Sequence, residues 1–190
     1  MACMLIIMGS CGITSTLSKN TINTLKLSPE QQEIVDLLRT ANSTSEIYMF
    51  EYNTKETYRK VEFWVEAYEN GELIERPAYV EMVSDNSAKR NGRLVAIITK
   101  IPHYQWALSL VENESFSNHV STVEITVDEP MAGISGPVNT LPINIEDGKE
   151  IVLHKTLFNR NSVNDYDWQE HPELIKEYLY AHLIKCKFTK

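Results

Sequence analysis

The sequence carries none of the short motifs that announce a chemistry. It has no G-x-S-x-G elbow, no Walker loop, no G-x-G-x-x-G, no H-E-x-x-H and no C-x-x-C. Cysteine is scarce, with three in 190 residues, so no disulfide framework is on offer. The five histidines, His103, His119, His154, His171 and His182, stand alone in their segments, which removes a locally assembled zinc site. Basic residues are outnumbered 18 to 26, for a net charge of -8. Phosphate backbones repel such a body, and no basic run interleaved with aromatics offsets this, so nucleic acid is excluded as a partner. The N-terminal apolar run is far shorter than the roughly 20 residues a membrane-spanning helix needs.

Period-two hydrophobicity is abundant by contrast. In Lys60 to Pro77, KVEFWVEAYENGELIERP, alternation sets Val61, Phe63, Val65 and Ala67 against Glu62, Trp64, Glu66 and Tyr68. Asn70-Gly71 supplies the two positive-φ positions of a type I′ turn, so the stretch reads as a β-hairpin. Further strands are read at 46–53, 93–100, 104–110, 122–127, 141–145, 151–157 and 177–189. Loops are read at 80–92, 128–137 and 159–172, where Gly, Pro, Asn, Asp and Ser gather. Asp147-Gly148 is read as the turn of a second hairpin joining 141–145 to 151–157. Trp106 and His182 point into the core, Cys186 is a buried small hydrophobe between Ile184 and Phe188, and His154 falls on the polar face opposite Leu153.

One helix is expected, over 29–40. Ser28 is its N-cap, Pro29 its first residue, and Gln31 completes a capping box. Its apolar stripe, Ile34, Leu37, Leu38 and Ala41, should pack on the domain. About nine short strands and no strand–helix alternation predict an antiparallel β-sandwich, in its immunoglobulin-like version, with a closed barrel as the alternative.

The first eleven residues, MACMLIIMGSC, are apolar up to Gly-Ser-Cys, which resembles the lipobox of bacterial lipoproteins. Met8 stands where that motif usually has leucine, and no Lys or Arg precedes the run. The resemblance implies removal of residues 1–10 and lipidation of Cys11. Residues 11–27, rich in Ser, Thr and Asn, then read as a polar tether, and 28–190 as a single domain.

Two stretches could touch a partner. Trp64 and Tyr68 share a face with Glu62 and Glu66, a contact patch for a protein, small ligand or cationic group if exposed. Asn164, Asp165, Asp167, Glu170 and His171 form a loop of carboxylates that could wrap calcium, although the glycine and distal glutamate of a calcium loop are missing. A solvated acidic loop is the plainer reading, and no cofactor and no metal ligand is assigned.

Together the Gly-Ser-Cys leader, the polar spacer, the capped helix, FWVEAYENGELIERP and the closing YAHLIKCKFTK resemble small lipoproteins of Gram-positive bacteria. That resemblance implies a lipid-anchored domain on the extracytoplasmic face of the cell membrane, and it brings no activity with it. A non-enzymatic binding module is therefore expected, with a calcium-dependent binder or enzyme using the 164–171 loop as the alternative.

Overall fold

The computed structural model describes residues 20–41, 45–99, 104–112, 115–123, 131–138, 142–166 and 170–190. Cys11, His103, Asp167 and residues 124–127 of the strand expected at 122–127 lie outside the described residues.

The fold is mainly β and antiparallel. Among the described residues, nine strands join one open sheet: β1 (Thr21–Thr24), β2 (Ser45–Glu69), β3 (Glu72–Thr99), β4 (Tyr104–Glu112), β5 (Ser115–Val123), β6 (Ala132–Pro137), β7 (Ile143–Asn144), β8 (Glu150–Asn159) and β9 (Tyr180–Thr189). Their order is β5-β4-β3-β2-β9-β8-β6, with β1 pairing β2 and β7. Helix α1 (Pro29–Ala41) and a 3₁₀ turn (Pro172–Glu177) are the described helical elements.

The hairpin at Lys60 to Pro77 forms as its sequence dictates. Asn70 and Gly71 adopt φ of 48° and 79°. Gly71 also lies against the 3₁₀ turn, where an added Cβ would sit 2.7 Å from Lys176 Cα. Gly71→Ala is therefore expected to cost about 1–2 kcal/mol from the left-handed backbone alone, and more from the clash. Urea denaturation checks this; a loss inside the roughly 0.5 kcal/mol of an ordinary surface change would refute it.

The hairpin arms run further than the sequence suggests. The strand expected at 46–53 and the first arm are one strand, β2. The loop expected at 80–92 is the middle of β3, paired to β2 through register shifts between Asn53 and Thr57 and between Tyr58 and Lys60. Each long strand changes neighbours along its length. The first half of β2 pairs β1 and its second half β9, while only the second half of β3 pairs β4.

That change of neighbours folds the sheet over. Trp106 on β4 is level with Glu46 on β2 and His182 on β9 is level with Ala67, about 70 Å further along that strand in a flat sheet, yet their ring centroids are 5.1 Å apart. Between the two halves lies one core that includes Phe50, Val61, Phe63, Leu94, Ile98, Trp106, Leu108, Ile151, Leu153, Ile184 and Phe188. Bulges are the devices by which strands turn such corners.

Four further expectations are corrected. Thr21–Thr24, within the stretch read as a polar tether, is a strand, with Ile22 fully buried. Ala132–Pro137 is an edge strand on β8, where glycines are tolerated and Pro137 sits at the end. Asp147-Gly148 closes no hairpin, because β7 pairs β1 instead of β8. The capping box is present, with Ser28 N donating to Gln31 Oε1 at 3.0 Å and Gln31 N to Ser28 Oγ at 3.3 Å. Yet Ile34, Leu37 and Leu38 are more than half exposed, and Val35 is the buried residue of α1. The periodicity found the helix but not the side that docks.

Candidate functional site

Trp64 is buried and Tyr68 half-buried. Trp64 Nε1 donates to Glu66 Oε1 at 3.0 Å, and the Tyr68 hydroxyl donates to Glu66 Oε2. The same carboxylate receives Lys185 Nζ at 2.6 Å and Arg76 Nη2 at 2.8 Å. Arg76 and Lys187 also stand 5.7 and 5.8 Å from the Trp64 ring centroid. The cations that such aromatics attract are thus supplied by the chain itself. Burial acts to raise the Glu66 carboxyl, but the hydrogen bonds from Lys185 and Tyr68 outweigh it and hold the pKa down to about 2.

Tyr68 and, from the 159–172 loop, Val163 and Tyr166 pack against one buried cluster that includes Leu157, Ile175, Tyr178 and Leu183. Asp165 there is ion-paired to Lys155, a lysine only 2% exposed. The Asn164 carbonyl accepts the Tyr178 hydroxyl at 2.6 Å, and exposed His171 lies 3.3 Å from Glu173. These groups hold the loop down. No group of three or more His, Cys, Asp or Glu gathers as metal ligands among the described residues.

A second cluster sits inside the fold. A register shift between Val152 and His154 breaks the alternation, so His154 is fully buried and stacked on Tyr48 with centroids 4.0 Å apart, not on the polar face. Ser135 Oγ lies 3.4 Å from His154 Nε2 and 3.1 Å from Thr156 Oγ1, but it donates to Glu46 Oε2 at 2.9 Å. The same Glu46 oxygen also accepts the Tyr48 hydroxyl at 2.8 Å.

The arrangement most suited to a ligand lies on the outer face of β1, β2, β3 and β4. Register rows build it: Thr21, Asn53 and Asn91 in one, and Asn23, Glu51, Arg93 and Val111 in the next. These residues line a cleft of about 640 Å³, with Tyr52 and Gly92 completing the lining. Glu51, Asn53, Asn91 and Arg93 are exposed, while Phe50, Tyr52 and Leu94 between and beside them are buried. Glu51 and Arg93 are direct cross-strand partners, so the two charges of the cleft cancel.

A buried network beneath fixes this surface. Arg90 Nε donates to Glu112 Oε1 at 2.8 Å and Nη2 lies 2.6 Å from Oε2, a two-pronged pair. The Tyr52 hydroxyl donates to the same carboxylate. Burial, then the Glu112 charge, raises the pKa of that hydroxyl. Arg90 Nη1 and Nη2 also donate to the carbonyls of Arg59 and Met82 at 3.0 and 3.3 Å, and Arg90 N to Thr54 Oγ1 at 2.7 Å. All three nitrogens of the guanidinium are thus engaged, through four of its five N–H groups, where β2 and β3 shift register. Tyr52, Arg90 and Glu112 are each chain neighbours of a cleft residue and face the other way. Gly92 allows the close approach: a Cβ there would lie 2.6 Å from the Tyr52 hydroxyl and 2.8 Å from Glu112 Cγ, and would strike the Val111 carbonyl.

Sequence reasoning missed this cleft because it read 80–92 as a loop. The signal was there in Glu51-x-Asn53 and Asn91-x-Arg93, polar residues at strand spacing, but pairing them needs the register of β2 on β3.

These observations define a mainly β domain, one open antiparallel sheet folded over a main core with a second, smaller buried cluster, and carrying a polar cleft on its outer face. The chain belongs to the YgaN domain family, whose model matches residues 21–188, from the first residue of β1 to the penultimate residue of β9. No curated protein and no solved structure matches the chain. Among the described residues, no helix is long and apolar enough to cross a membrane.

Proposed function

We propose that the chain is a lipid-tethered, non-enzymatic binding module of the extracytoplasmic membrane face. Cys11 is the attachment point, and a small polar ligand or a partner's polar group is held in the cleft of Asn23, Glu51, Asn53, Asn91 and Arg93. The tether rests on the apolar leader ending in Gly-Ser-Cys. The binding role is carried by one observation, that four strands align amide, hydroxyl and opposed charged groups around a cavity of about 640 Å³, within the size range of ligand sites. We read the two halves of the sheet as a sandwich-like pair of layers built from one bent sheet, whose rigid outer face positions these side chains.

Two measurements test the parts separately. In the native host, the full chain is expected in the membrane fraction and Cys11→Ser in the soluble fraction. Equal partition of both would remove the tether. For the cleft, amide-resolved NMR of the full chain with small hydroxylated and amide compounds is expected to shift signals at 51–53 and 91–93. Asn53→Ala should abolish the response. Shifts confined elsewhere would refute this site.

A further inference from the structure

We infer that the ligand of this cleft is a neutral saccharide chain, laid across the strands and reaching an aromatic platform at Phe116; this rests on the cleft being a binding site. The row Asn23, Glu51, Arg93, Val111 does not stop at the cleft wall. Val111 pairs with Phe116 on β5, so five strands place Asn23, Glu51, Arg93, Val111 and Phe116 in one line on the outer face. Four strand intervals make the line about 19 Å long, the length of a short oligosaccharide.

The chemistry along the line changes in the order such a ligand requires. At one end, Asn23, Asn53 and Asn91 each offer a carbonyl acceptor and an amide donor, which match the paired donor and acceptor character of sugar hydroxyls. Glu51 and Arg93 add a charged acceptor and a fork of donors while leaving the cleft neutral. At the other end Phe116 is 70% exposed. An exposed aromatic ring at that position can stack on the apolar C–H face of a pyranose. An anionic polymer is disfavoured by the net charge of -8, which leaves neutral or N-acetylated sugars.

The test is calorimetric titration of the full chain with glucose, cellobiose, cellotetraose and the N-acetylglucosamine tetramer, alongside a neutral tripeptide. Affinity is expected to rise by about tenfold or more from monosaccharide to tetramer. Phe116→Ala should remove that gain without lowering the thermal midpoint. Asn53→Ala should weaken every member of the series. Binding of the tripeptide in the cleft with no response to any saccharide would overturn this inference and leave the cleft a site of another class. No binding of either kind, with no NMR shift at 51–53 or 91–93, would overturn both. A tetramer gain that survives Phe116→Ala would overturn the platform.

Discussion

Replacing Arg90 with methionine is expected to cost about 3–5 kcal/mol of folding stability, the range for breaking a buried ion pair from one side. The Arg90 side chain is 4% exposed, and removing it leaves the buried Glu112 carboxylate without its cation, with the Tyr52 hydroxyl still donating to it. It also deprives the carbonyls of Arg59 and Met82 of their partners, each a further desolvation cost. The comparison that separates this cause from lost packing is the double variant Arg90→Met with Glu112→Leu. With the orphaned charge gone, it should recover a large part of the loss. Chemical denaturation measures both. A single-variant cost below about 1 kcal/mol would mean that the pair behaves like a surface bridge and does not hold the corner. Since Asn91 follows Arg90 and Val111 precedes Glu112, the single variant should also displace the cleft signals in NMR spectra.

The second large effect depends on pH. Glu66 titrates at about 2 in the folded chain against 4.5 ordinarily. Between those values the unfolded chain binds the proton and the folded chain does not, so stability falls as pH falls through this window. The contribution is complete above about pH 4.5, amounts to about 3 kcal/mol at neutral pH, and is gone below about pH 2. Glu66→Gln isolates it from the other carboxylates. At pH 7 the variant should be less stable than the parent by roughly that amount, and the gap should close as the pH approaches 2. A gap that stays constant with pH would mean that Glu66 acts through packing alone. The expectation that Trp64 and Tyr68 attend a cation is thereby turned inward: the cations are Arg76, Lys185 and Lys187, and their effect is to be sought in stability.

What the sequence determined by itself was local. Asn70-Gly71 fixes a turn because few residue pairs tolerate two left-handed positions. Ser28 and Gln31 start a helix because each satisfies the other's free amide. Alternation around Phe63, Trp106 and Ile184 names the faces that turn inward. These are statements about neighbours one to four residues apart, where spacing and backbone sterics suffice.

What only the tertiary structure decided was everything that depends on register and on which strand lies beside which. The polar stretch 84–92 reads as a loop by composition, yet it is a strand because Arg90 finds Glu112, 22 residues away, and Thr54, 36 residues away. The stripe of α1 is visible in the sequence, but its packing is not, because docking is settled by the shape of the surface that receives it. His154 changes face at a bulge that alternation cannot foresee. The cleft joins residues of four strands, and Phe116 adds a fifth, through pairings that no local pattern encodes. A strand's period places a side chain up or down. Its neighbour is chosen only when the whole sheet folds over its core.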